Sequence, residues 1–154
     1  MKSEKTPVVA VLGGNTCSSE IYNMAYQVGK LIAQRNATLI CGGKGGVMEA
    51  ACKGALEAGG MTIGILPGED RIEGNPYVKY AIATGMGIGR NVIIVRSADV
   101  VISIDGKYGT LSEISFALQL NKPVVAIEPP VDLEGITICN NPEDAVKKAF
   151  WMMP

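Results

Sequence analysis

The sequence predicts an α/β three-layer sandwich, doubly wound on a mainly parallel sheet, and two observations carry that expectation. Five short apolar runs alternate with segments whose apolar residues recur at helical spacing, the pattern of β–α–β units. The runs are also continuous in Val, Ile and Leu instead of alternating with polar residues, as strands covered on both faces are.

Taken in order, "PVVAVLGG" (7–14) reads as the first strand. A helix is expected over about 19–35, because Ile21, Met24, Val28, Leu31 and Ile32 fall on one face and Thr16, Ser18 and Ser19 offer capping side chains before them. "ATLICGG" (37–43) is the second strand, followed by the helix formers of "GVMEAACKGALEAGG", which stop at Gly59-Gly60. "MTIGILPG" (61–68) is the third strand. Residues 67–79 then read as a long polar loop, either a ligand gate or a disordered surface segment. "GIGRNVIIVRSAD" (87–99) is ambiguous, since Val92–Val95 has strand composition. "ADVVISIDG" (98–106) and "KPVVAIEPP" (122–130) are strands that flank a helix carrying Leu111, Ile114 and Leu118, and a last helix begins at Asn141-Pro142. No repeat or linker interrupts the 154 residues, so residues 1–154 are expected to form one domain.

Composition excludes several functions. With 14 basic and 15 acidic residues, 5% aromatics and no basic stripe, a nucleic-acid surface is not expected. No apolar run approaches a bilayer-spanning length, and the short polar lead at the N-terminus lacks a signal-like apolar region, so a cytoplasmic protein without membrane partners is expected. The chain has no histidine, which removes Ser-His and Cys-His nucleophilic machinery; the four scattered cysteines form no C-x-x-C pair, and no metal site is expected. Cys17 and Cys41, beside glycine turns, are either activated thiols or, more commonly for such residues, buried packing groups.

Three glycine-rich turns carry the chemistry. Gly13-Gly14-Asn15, Gly42-Gly43-Lys44-Gly45-Gly46 and Gly106-Lys107-Tyr108-Gly109-Thr110 each follow a strand and precede a helix, so a parallel sheet brings all three to its carboxyl edge. Such turns either hold an anion on backbone amides and helix N-termini or simply satisfy tight turns. None completes a G-x-G-x-x-G fingerprint or a P-loop. Thr110-x-x-Glu113 has the form of a capping box, while its alternative reading aims the Glu113 carboxylate into the crevice. Arg90 is either a surface charge or a guanidinium aimed at phosphate, and Tyr108 a turn side chain over the ligand or a neighbouring loop.

These residues, in this order, make nearly the whole chain similar to the Lonely Guy-like superfamily of nucleotide-binding α/β proteins, once labelled lysine decarboxylase-like. The family hallmark P-G-G-x-G-T-x-x-E is matched at Gly106, Gly109, Thr110 and Glu113, with Asp105 and Lys107 standing where the hallmark has proline and its second glycine. The family's M-x-x-R-K segment corresponds to the stretch ending Arg90-Asn91, which the resemblance implies is helical. It implies a Rossmann-like fold, a homodimer or higher homo-oligomer, and a phosphorylated ligand at Gly13, Gly14, Asn15, Gly42, Gly43, Gly46, Met48, Gly106, Lys107, Tyr108, Gly109 and Thr110. In the phosphoribohydrolase branch the residues matching Arg90 and Glu113 are the catalytic pair. "EGNPY", "TGMGIGRN" and "SADVVIS" look more like a compact subgroup that includes proteins similar to molybdenum-cofactor carriers. Three functions are therefore expected in turn: a carrier or binding protein for a nucleotide-like ligand or molybdenum cofactor, a nucleoside 5′-monophosphate phosphoribohydrolase needing no catalytic cofactor, or a non-enzymatic sensor. Lysine decarboxylation is excluded, because nothing marks a Schiff-base lysine and a pyridoxal-phosphate enzyme needs a larger scaffold.

Overall fold

The computed structural model describes residues 4–154; the first three residues of the polar lead, and with them the start of the expected 1–154 domain, lie outside the described residues. Seven strands form one wholly parallel sheet: β1 (Val8–Gly13), β2 (Thr38–Cys41), β3 (Met61–Leu66), β4 (Tyr80–Ala83), β5 (Val100–Ile104), β6 (Val124–Ile127) and β7 (Ile136–Cys139). Their order across the sheet is β4-β3-β2-β1-β5-β6-β7, so the direction of winding reverses between β1 and β5. Gly13 of β1 stands in register with Ile104 of β5 at that reversal. This is a Rossmann-like α/β sandwich.

Five helices complete it: α1 (Ser19–Gln34), α2 (Val47–Glu57), α3 (Arg90–Ser97), α4 (Tyr108–Gln119) and α5 (Pro142–Met152). One face of the sheet buries Val9, Val11, Ile102 and Ile104 against α1, α2 and α5, and the other buries Ala10, Leu12 and Val101 against α3 and α4. Both faces of β1 and β5 are thus covered, which is why their sequences lack polar alternation. The Ser18 hydroxyl caps α1 by accepting from the Ile21 amide at 3.2 Å, and Asn141 caps α5 by accepting from the Asp144 amide at 2.9 Å.

The structure adds to the sequence reading at both edges. β4 and β7 are four-residue strands with mostly half-exposed or exposed side chains, and neither shows as a run rich in Val, Ile and Leu. The loop expected over 67–79 is organised: Arg71–Glu73 form a 3-10 turn capped by Asp70, and Asn75 fastens the segment to the second glycine turn through Gly43 and Lys44 carbonyls, each at 2.8 Å. The ambiguous segment is helical, a 3-10 turn at Gly87–Gly89 running into α3, so the strand composition of Val92–Val95 yields to burial of Ile94 and Val95 on a helix.

Helices α1 and α2 lie unusually close. A β-carbon on Gly29 would overlap the Ala51 carbonyl oxygen, and one on Gly54 the Tyr26 carbonyl oxygen, so each backbone sits against the other with no side chain between. Helix propensity alone favours Ala over Gly by about 1 kcal/mol. We expect the opposite at Gly29: Gly29→Ala should lower the unfolding free energy by about 2 kcal/mol through forced separation of the two helices. Urea denaturation checks this; a stabilised variant would mean that the helices can slide apart without loss.

Candidate functional site

The first two glycine turns are sewn to each other. Val47, at the start of α2, donates its amide to the Gly14 carbonyl at 3.0 Å, and the Gly45 amide donates to Asn15 Oδ1 at 2.7 Å. Gly46 adopts φ +58°, and any side chain on it would strike the Gly14 carbonyl, while one on Gly13 would strike Val47. These glycines serve close backbone approach between two loops. The Cys41 thiol accepts from the Gly43 amide at 3.3 Å and lies 3.5 Å from the Cys52 thiol, both buried, so Cys41 is part of the packing under the turn.

The third turn is open. Asp105 and Gly106 take φ of +52° and +110°, and α4 begins at Tyr108 with Lys107 in the capping position and no side-chain cap. The capping box expected from Thr110-x-x-Glu113 is absent: Thr110 is the third residue of the helix, because the left-handed turn starts α4 earlier than a Thr110 cap requires. A proline, locked near −65°, cannot occupy Asp105, and Lys107 at φ −134° needs no glycine, so the two departures from the hallmark follow the path of this turn. The first amides of α4 have no acceptor within their own helix and carry its positive end.

Beside this helix end lies a cavity of about 480 Å³ at the reversal between β1 and β5. Of the expected residues, Gly13, Gly14, Asn15, Met48, Arg90, Gly106, Lys107, Gly109, Thr110 and Glu113 line it. Gly42, Gly43, Gly46 and Tyr108 do not. Tyr108 is 89% exposed and covers nothing; Gly42 packs against Arg90 and Met48; Gly43, at φ +75°, packs on Leu66 and Gly64. Thr16, Lys44, Pro67, Ile88, Asn91 and Asp105 also line the cavity and were not expected there. Lys44 sat inside a quoted turn and Asp105 at the first hallmark position; Asn91 follows the arginine on α3 and Ile88 precedes it on the 3-10 turn, where no motif pointed to them.

Arg90 is not a surface charge. Its Nε donates to the Ile65 carbonyl at the end of β3, 2.9 Å away, and Nη1 donates to Asn91 Oδ1, so the guanidinium is held in place from two sides. Asn91 and Thr110 are buried beside it. Glu113, one helical turn beyond Thr110, is only 8% exposed, and burial pushes its carboxyl up to about 7 against the opposing pull of Arg90. Desolvation also draws Arg90 downward from its ordinary value. The cavity therefore offers three cationic side chains, Lys44, Arg90 and Lys107, against the carboxyls of Asp105 and Glu113, of which Glu113 titrates near neutrality. Met48, Pro67 and Ile88 add apolar lining. Such a site suits an anion joined to a flat or apolar group.

Comparison with known proteins gives one consistent result. A family model described as the SLOG cluster4 family matches residues 6–150. An uncharacterized protein of Archaeoglobus fulgidus is 48% identical over 138 residues, 90% of this chain and 91% of its own. The solved structure of the molybdenum cofactor binding protein from Rippkaea orientalis is similar at 36% identity and a TM-score of 0.91, covering 97% of this chain and 99% of that one. The molybdenum cofactor carrier protein of Chlamydomonas reinhardtii is similar at 32% identity and a TM-score of 0.87, over 96% and 98% of the two chains.

The raised carboxyl has a testable sign. Glu113 holds its proton more tightly folded than unfolded, where it titrates near 4.5, so its contribution is fully present below that value and is lost as pH rises through about 7. Replacing it with glutamine removes the titration. Melting curves from pH 5 to 8.5 should show Glu113→Gln gaining on the wild type as pH rises, by at most about 3 kcal/mol. A difference that is constant with pH would mean that Glu113 ionises without penalty.

Proposed function

Because the chain belongs to the SLOG cluster4 family, we propose that it binds a phosphorylated, ring-bearing ligand at the carboxyl edge of its sheet and carries it unaltered, the molybdenum cofactor being the favoured cargo. The observation that carries this reading is the cavity at the strand-order reversal, one end of which is the uncapped N-terminus of α4. A phosphate there meets the amides around Gly109 and Thr110 and the Lys107 side chain, and Arg90 is near enough in the same cavity to share its charge. The ring lies toward Met48, Pro67 and Ile88, and Glu113 accepts from a ring N–H or a hydroxyl, or donates to a ring acceptor when protonated. Full-length similarity to a cofactor-binding protein and a cofactor carrier supports the choice of cargo. Carriage asks only for shape and charge complementarity, which the departures at Asp105 and Lys107 leave in place.

One observation favours a second reading. A buried carboxyl near neutrality, facing a fixed guanidinium and not spent on a helix cap, is what cleavage of an N-glycosidic bond requires: Glu113 would stabilise the ribosyl cation or deliver a proton, and Arg90 would hold phosphate or leaving base. That is the phosphoribohydrolase alternative, with nucleoside 5′-monophosphates as substrates.

Gly109 separates binding from folding. A β-carbon there meets no atom within 4 Å, so Gly109→Val should melt close to the wild type, yet its methyl groups project at the open helix end. Wild-type protein in excess phosphorylated pterin or AMP should be stabilised by about 2–3 kcal/mol at a hundred times the dissociation constant, and Gly109→Val should lose that gain. Stabilisation that persists in the variant would move the phosphate elsewhere. Chromatography of the same mixtures divides the two readings: free base and ribose 5-phosphate released by wild type and not by Glu113→Gln establish the hydrolase, and intact ligand supports the carrier.

A further inference from the structure

A second concave surface lies along α5, away from the ligand cavity. It encloses about 790 Å³ and is lined by Arg35, Asp144, Lys147, Lys148, Phe150 and Trp151 among others. Trp151 is 86% exposed, although a tryptophan gains more than almost any residue from leaving water. The Arg35 guanidinium lies over the Phe150 ring, 4.9 Å from its centre, bridging the end of α1 to the end of α5. Three cations thus rim an apolar floor. The one acid, Asp144, already accepts from Asn141 Nδ2 at 3.1 Å within the cap of α5. This local excess of positive charge stands out on a chain whose formal net charge is −1.

We propose that this groove docks an acidic segment of another protein, with an apolar side chain of that segment against Trp151 and its carboxylates on Arg35, Lys147 and Lys148. The charge pattern selects the occupant. Two-fold pairing of this face with a second copy sets one net-positive surface against another, whereas an acidic segment neutralises Arg35, Lys147 and Lys148. Trp and Arg are also the side chains that most often dominate docking energies. A carrier handing over its ligand from the opposite end of the sheet can hold such a partner without blocking the cavity.

Trp151 is the sole tryptophan, so its emission reports the groove alone. A short Glu-rich peptide with a central Leu-Phe pair should shift that emission to the blue, saturably, and less at high salt. The double variant Lys147→Glu, Lys148→Glu should bind it about tenfold more weakly while retaining the wild-type melting temperature. Three results overturn the proposal: no shift, an equal shift with a Lys-rich peptide of the same pattern, or a shift that follows protein concentration with doubled mass in light scattering. In the last case a second copy covers the groove.

Discussion

The cavity at the carboxyl edge of this molecule depends on the reversal of winding between β1 and β5. These neighbours are hydrogen-bonded along their length, yet the chain leaving β1 turns to the α1 face and the chain leaving β5 turns to the α4 face. Their connecting loops diverge, and no side chain from the sheet fills the space between them. The opening sits where parallel strands end, so the groups around it are backbone amides and helix N-termini. An anion is the complement that such a rim favours.

Glycine makes this arrangement possible in two different ways. In the first two turns it lets one loop press on another: Gly13 admits Val47, and Gly46 admits the Gly14 carbonyl. That seam joins the turns ahead of α1 and α2 into one wall of the cavity. In the third turn, Gly106 at φ +110° sits against Thr110 and swings the chain so that α4 starts uncapped. Three similar-looking sequences therefore divide the work, two building the wall and one leaving polar groups free.

The interior of the fold was legible because burial on both faces writes itself as runs dominated by Val and Ile in β1, β5 and β6. The edge strands were not, because β4 and β7 bury little and carry no comparable run. Arg90 and Glu113 were legible as candidates through the family resemblance, yet the local rule for Thr110-x-x-Glu113 pointed to a helix cap. What defeated that rule was backbone conformation at Asp105, a residue whose left-handed φ no composition argument reveals. Ile88 and Pro67 escaped notice for a further reason: each reaches the cavity by the three-dimensional course of a turn and carries no motif of its own.

The grip of the Ile65 carbonyl on Arg90 Nε has a consequence for the entropy of recognition. A free arginine explores many rotamers and surrenders roughly 2 kcal/mol of that freedom when a ligand fixes it. Here the strand end and Asn91 have already confined the guanidinium during folding, with part of its desolvation incurred before any ligand arrives. An incoming anion meets a charge that need not reorganise, so the attraction between them is not diluted by ordering a flexible arm.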